Sequence, residues 1–300
     1  FGGDALLRKD LIFNVIKFCK KNGIETFFPT NSLLMDRDAA KELVDSGLDV
    51  IYISLDDIGS RHDEIRGKDG TFKLVRNAIE NIARERGGGK TPRIIICTTI
   101  SNLNYKHFAD IAEFLEDYPV DTIYPRVLGE FDKEFINNSA VKGIRPEPYF
   151  TSSDRTSHLL KEAEAREFRD AVKKMKLSRK GKRIYINFRA IDEAGDQALT
   201  KGIHALKKCL LCSTFVTVDP YGNVIPCPMY NRYIIGNLLK DGLEDIWGND
   251  KHQFFIKEQK RKKIEICKNC IMRIYYPNLP ETCAYLLKRT KEKALNLFAG

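Results

Sequence analysis

Apolar and polar positions switch between two periods along the first 130 residues. Leu6–Lys21 carries apolar residues at helical spacing and stops at Asn22-Gly23. Ile24–Pro29 reads as a short strand, and Arg37–Ser46 as a helix ended by Gly47. Asp49–Leu55 (DVIYISL) and Arg93–Ile100 (RIIICTTI) are rich in β-branched residues and mostly apolar, as expected of strands buried on both faces. Between them, Phe72–Arg86 is amphipathic and closes at Gly87-Gly-Gly-Lys90. Tyr105–Tyr118 predicts a helix and Thr122–Leu128 a strand. Alternation of this kind with short loops predicts a parallel sheet with crossover helices. About four strands are legible, and the chain opens on a helix with no strand before it. Unpaired parallel edges are a liability, so one or two strands are expected to be missing from this chain.

Beyond that point the pattern changes. Glu130–Pro148 reads as a linker, His158–Met175 as a helix and Arg183–Phe188 as a short strand. Ser213–Asp219 and Asn223–Pro226 flank Pro220-Tyr221-Gly222, a hairpin signal. Leu238–Trp247 predicts a short helix ending at Gly248. Six of the eight cysteines fall here: Cys209, Cys212, Cys227, Cys267, Cys270 and Cys283. Each Cys-x-x-Cys pair (Cys209/Cys212 and Cys267/Cys270) puts two sulfurs on one tight turn, within reach of one metal centre. The set offers enough thiolates for a tetrahedral zinc or an iron–sulfur cluster. Cys19 and Cys97 sit in apolar segments, where core packing is the default.

Composition narrows the picture. At 43% apolar residues, the 300-residue chain can bury a full core. No apolar run approaches the ~18 residues that span a bilayer. Eight cysteines without a visible signal peptide favour a reducing cytoplasm and metal ligation over disulfides. Charge is uneven: residues 1–150 hold 21 Lys/Arg and 24 Asp/Glu, whereas residues 151–300 hold 29 and 17. The basic half suits a solvated face on helices beside a negatively charged metal cluster, or an acidic peptide or phosphorylated substrate. It carries no aromatic-interleaved motif of the kind that binds nucleic acid.

Several ordered stretches resemble one family, the radical S-adenosylmethionine (SAM) enzymes with a C-terminal SPASM or twitch-type auxiliary-cluster domain. Phe1-Gly-Gly-Asp-Ala-Leu-Leu-Arg8 is similar to the family's Gly-Gly-Glu-Pro-Leu-Leu motif. Ser54-Leu-Asp-Asp57, His62-Asp-Glu-Ile-Arg-Gly67 and Gly70-Thr-Phe72 resemble the segment after the fourth barrel strand. Val216-Thr-Val-Asp-Pro-Tyr-Gly-Asn-Val-Ile-Pro-Cys227 resembles the SPASM hairpin, and Ile235-Gly-Asn-Leu238 with Leu243-Glu-Asp-Ile-Trp247 the helix after it. The resemblance implies an α/β fold: a partial parallel (β/α) barrel of radical SAM type, then a small cysteine-rich α+β SPASM/twitch-like domain. Expected boundaries are 1–130 for the partial barrel, 131–205 for a linker and bridging helix, 206–285 for the auxiliary-cluster domain and 286–300 for a basic tail. It also implies generation of a 5′-deoxyadenosyl radical that takes hydrogen from a peptide or small-molecule substrate. A reductant such as ferredoxin or flavodoxin would serve as partner.

The implied SAM contacts are Gly2, Gly3, Asp4, Ser54, Asp56, Arg66, Asn102 and Val127. Gly2-Gly3 lets backbone pass close to a ligand. Asp4 suits the methionyl ammonium or, equally in type, a helix cap. Arg66 suits the methionyl carboxylate or a surface ion pair, and Val127 the adenine site or strand core. One auxiliary [4Fe–4S] cluster is expected, held by Cys227, Cys267 and Cys270 with Cys209 or Cys212. Cys283 is a reserve ligand or a core thiol. Two departures matter. The family's Cys-x3-Cys-x2-Cys, which holds the SAM-cleaving cluster, occurs nowhere in the sequence, so the chain reads as a fragment lacking it. Pro228 stands where anaerobic sulfatase-maturing enzymes carry an Asp as proposed base, which counts against that activity. The competing readings are a zinc-stabilised nucleic-acid- or protein-binding module and a non-catalytic relative of the family.

Overall fold

Parallel strand pairing organises the first half of the chain. The computed structural model describes residues 3–148, 157–204 and 209–272, so Gly2 and Cys283 lie outside the described residues. Five strands pair in sequence order: β1 (Phe27–Thr30), β2 (Val50–Ser54), β3 (Arg93–Ile100), β4 (Thr122–Val127) and β5 (Tyr185–Ile186). Every pairing is parallel. The register sets Ser54 opposite Cys97 and Ile100 opposite Val127, so β3 and β4 end together and β2 ends three residues earlier.

Helices α1 (Lys9–Lys21), α2 (Arg37–Asp45), α3 (Ser60–Arg66), α4 (Thr71–Arg86) and α5 (Phe108–Phe114) lie between or before these strands. Their ends follow local chemistry. The Asp36 carboxylate accepts from the Ala39 N–H (2.7 Å) and caps α2. Asp63 accepts from the Gly70 and Phe72 N–H groups and the Thr71 hydroxyl, each at 2.7 Å, and so welds the end of α3 to the start of α4. The expected helix over Tyr105–Tyr118 is α-helical only at Phe108–Phe114, with a 3-10 turn on either side. The structure adds α3, which has too few apolar positions to show a helical period.

The strands are not buried on both faces, as their composition predicted. Ile51, Ile53, Ile94, Ile96, Ile100, Ile123 and Val127 join α-helical side chains such as Leu43, Val75 and Ile79 in one core cluster. The intervening Tyr52, Ser54, Cys97, Thr99, Tyr124 and Arg126 stay half-buried. Period-two alternation therefore gives this sheet one covered face and one partly open face.

A second compact unit has its own core. It combines the described residues of Gly129–Ser157 and Lys201–Gly300, while those of Phe1–Leu128 and His158–Thr200 form the first. The stretch 131–205, expected as a linker and bridging helix, divides between the two. The Glu162–Ser178 helix buries Phe168, Val172 and Met175 in the first core, so it is not a connector. In the second unit β6 (Thr217–Val218), β7 (Asn223–Ile225) and β8 (Gly236–Asn237) form an antiparallel sheet in that order. Asp219 closes the β6–β7 turn by accepting from the Tyr221 and Asn223 N–H groups (2.8 and 2.9 Å), and Gly222 takes φ +80° there. The predicted helix over Leu238–Trp247 is helical only at Leu243–Ile246, and Leu239 is exposed. A helix at Asp250–Lys260 contributes Phe255, against which Tyr230 packs edge-on at 4.9 Å.

Candidate functional site

Polar groups collect at the carboxyl ends of β1–β4, where ligands of parallel α/β folds bind. Gly3 has φ +75°, a left-handed conformation that favours glycine. Asp4 follows it. One carboxylate oxygen accepts from the Leu6 N–H (3.0 Å), capping the first turn; the other accepts from the Thr30 hydroxyl (2.7 Å) and the Asn31 N–H (2.9 Å) at the end of β1. A carboxylate offers about four lone-pair sites, so Asp4 caps its helix and retains one site for a ligand.

Asp56 is more fully engaged. It is buried; one oxygen accepts from the Thr99 N–H (2.9 Å), and the other pairs with the Arg66 guanidinium at 2.7 Å. Its N–H donates to His62 Nδ1 (3.1 Å). Arg66 thus carries the ion pair, with its remaining N–H groups at a one-third exposed surface. Ser54 ends β2 half-buried. Asn102 is held by its N–H to the His158 carbonyl (2.9 Å). The Val127 side chain belongs to the helix-covered core, so only its backbone sits at the strand end.

Sequence reasoning missed two braces at this rim. Buried Asn104 donates to the carbonyls of Asp56 (2.7 Å) and Thr99 (2.9 Å) and accepts from the Ser101 N–H (2.9 Å), tying β2 to β3. Fully buried Asp57 holds His107 Nδ1 at 2.9 Å and accepts from the Ile58 N–H at 2.7 Å. The only signal was a cluster of Ser and Asn directly after an apolar strand.

In the second unit, Cys209, Cys212, Cys227, Cys267 and Cys270 line one cavity. Leu211, Met229, Phe255, Ile264 and Ile266 complete its wall. Burial pushes the thiols up: Cys212 to about 11, Cys267 to about 12, and Cys227 well above the ordinary range, where Cys270 adds to the effect. Without metal these are neutral thiols, and ligation must displace their protons. Five sulfur donors in an apolar wall suit soft iron–sulfur chemistry. A set of sulfurs around one cavity is the ligand chemistry an iron–sulfur cluster takes.

His252 supports this pocket and was also missed. It is buried, its Nδ1 accepts from the Gly248 N–H (3.0 Å), and its ring lies 4.2 Å from that of Trp247. The proton therefore sits on Nε2, which donates to the Cys212 carbonyl at 2.7 Å and fixes the Cys209–Cys212 turn.

Residues 1–115 match the model of the Radical SAM superfamily, and residues 209–271 that of SPASM, an iron–sulfur cluster-binding domain. The chain is a radical SAM–SPASM family member. These two domains imply SAM and iron–sulfur clusters as cofactors. Fe-coproporphyrin III synthase of Methanosarcina barkeri is 30% identical over 122 residues, which are 41% of this chain and 29% of the relative. The mycofactocin maturase of Mycobacterium ulcerans is 23% identical over 254 residues, 83% of this chain and 60% of the relative. The chain thus spans less than two thirds of either relative. Among solved structures, anSMEcpe with bound AdoMet and a Cp18Cys peptide superposes with a TM-score of 0.60 at 18% identity, over 89% of this chain and 73% of that one. That likeness carries the radical SAM fold for this chain. Among the described residues no helix is long and apolar enough to cross a membrane.

Proposed function

We propose that this radical SAM–SPASM protein belongs to an enzyme that modifies a peptide, using an auxiliary [4Fe–4S] cluster held by the SPASM cysteines. The observation that carries the reading is the cavity walled by Cys209, Cys212, Cys227, Cys267 and Cys270. The maturase among its relatives and the peptide bound by anSMEcpe support a peptide substrate. SAM, when bound and reduced, supplies a 5′-deoxyadenosyl radical that removes a hydrogen atom from substrate. The 300 residues contain no Cys-x3-Cys-x2-Cys, so ligands for the reducing cluster are not among them, and no step through that cluster is assigned to them.

The chain's own residues do the positioning. The free lone pair of Asp4 accepts from the methionyl ammonium, beside backbone at Gly3. Arg66, oriented by Asp56, presents its remaining N–H groups to the methionyl carboxylate, and Ser54 and Asn102 add polar contacts. Cys227, Cys267 and Cys270 with Cys209 or Cys212 hold the auxiliary cluster. The apolar wall around it keeps water away, and Cys283 is a reserve ligand. A ferredoxin- or flavodoxin-type protein would supply electrons.

Anaerobic reconstitution with iron and sulfide tests the cluster. About four iron and four sulfide per chain are expected for one [4Fe–4S]. The visible band should be lost on combined Cys227→Ala and Cys267→Ala. A colourless protein with stoichiometric zinc would overturn the assignment and favour a zinc-stabilised binding module.

A further inference from the structure

The partly open face of the β1–β5 sheet carries a second set of chemical groups. Strand alternation and register put Tyr52, Cys97, Tyr124 and Arg126 on it: Cys97 stands beside Tyr124, and Arg126 beside Thr99. The Arg126 guanidinium lies 5.6 Å from the centre of the Tyr124 ring. Arg126 is half-buried, and among the described residues no carboxylate pairs with it. Other cations near this face are already matched, Arg66 by Asp56 (2.7 Å) and Arg93 by Glu25 (3.6 Å).

Tyr52, Cys97 and Tyr124 around Arg126 carry no negative charge, and the nearby Asp56 carboxylate is taken by Arg66. Burial pushes the Cys97 thiol up to about 11 and raises the Tyr52 phenol, outweighing the opposite pull of Arg126 on both. Both stay protonated at neutral pH. A partly desolvated guanidinium without a counter-anion is costly, and one unmatched positive charge calls for one negative charge. A single carboxylate meets that need, in the fork geometry that guanidinium favours. A phosphate dianion would call for a second free cation, which this face lacks among the described residues.

We propose that this sheet face binds the carboxylate of an acidic residue in the peptide substrate, with Arg126 as its ion-pair partner and Tyr52 and Tyr124 packing along the adjoining chain. The inference rests on the peptide-modifying reading above and names its substrate class.

Phenylglyoxal labelling of Arg126 in the full chain, read by peptide mass spectrometry, tests it without a variant. The probes are acetyl-Ala-Glu-Ala-amide, its Gln counterpart and inorganic phosphate. A hydrogen-bonded charge pair is worth about 1.5–3 kcal/mol, roughly tenfold or more in affinity. The Glu peptide should therefore half-protect Arg126 at a concentration about tenfold below the Gln peptide, with exposed arginines elsewhere labelled at an unchanged rate. Equal protection by the two peptides, or none, would overturn the site. So would stronger protection by phosphate, or an Arg126 already unreactive without any probe. Iron content and the visible spectrum of the same sample report separately on the cluster. A colourless sample fails the function proposed above, whereas a coloured one without selective protection fails only this inference.

Discussion

A carboxylate with both oxygens engaged acts as a brace, and Asp56 shows how that brace is held in turn. Asn104 donates to its carbonyl and to that of Thr99, and accepts from Ser101. Asn104→Ala leaves those buried groups without partners, at a cost of about 2–3 kcal/mol. Urea unfolding followed by far-UV circular dichroism should show a lowered midpoint; an unchanged one would show that the rim is held by other means. His62 adds a pH dependence. Burial and the nearby Arg66 hold its imidazole below the usual value, because the neutral ring accepts the Asp56 N–H. Its contribution to stability is fully present above the unfolded value near 6.5 and is lost as pH falls through the lower folded value. The midpoint should therefore drop between pH 7.5 and pH 5, and His62→Asn should flatten that drop. A wild-type midpoint level across this window would refute the role.

Turns and close contacts, more than strand length, fix the elements. A Cβ at Gly236 of β8 would stand 2.5 Å from Ile246 Cγ1 and 2.8 Å from Ile246 Cγ2. Gly236→Ala must therefore displace the Leu243–Ile246 helix from the small sheet, costing about 1–3 kcal/mol as overpacking does. In an Ile246→Ala background, which removes both of those carbons, Gly236→Ala should cost less, and an unchanged cost would place the strain elsewhere. The same contact explains what the sequence could and could not reveal. Long apolar runs such as Arg93–Ile100 announced their strands, because burial and β-branching act locally. Leu238–Trp247 looked helical throughout, yet Gly236–Asn237 pairs with β7 and the helix begins only at Leu243. Tertiary packing of Ile246 decided that boundary. The gathering of five cysteines around one cavity was legible from their spacing. The commitment of Arg66 to Asp56 was not, because an ion pair across a loop leaves no period. The open sheet face was hidden for a similar reason: residues such as Tyr52 and Tyr124 read as apolar β-formers whether or not a helix covers them.

Among the described residues there are two separate apolar clusters, one around the parallel sheet and one beside the thiol cavity. A bound cluster stabilises only the unit whose cysteines hold it, since ligation is linked to folding of that unit. Trp247 is the only tryptophan in the chain and lies in the second unit, against His252. The long helices Lys9–Lys21, Thr71–Arg86 and Glu162–Ser178 belong to the first. Tryptophan fluorescence therefore reports the metal-holding unit, and far-UV circular dichroism is weighted towards the other. A ligand present at a hundred times its Kd adds about 2.7 kcal/mol, and each kcal/mol moves Tm by about 4–8 °C in a unit of 60–100 residues. Stripping metal with an anaerobic chelator should lower the fluorescence Tm by about 10 °C or more, while the main dichroism transition moves far less. Equal shifts in both signals would mean that the two cores melt as one. No shift in the fluorescence signal would mean that the thiol cavity is not where the metal is held.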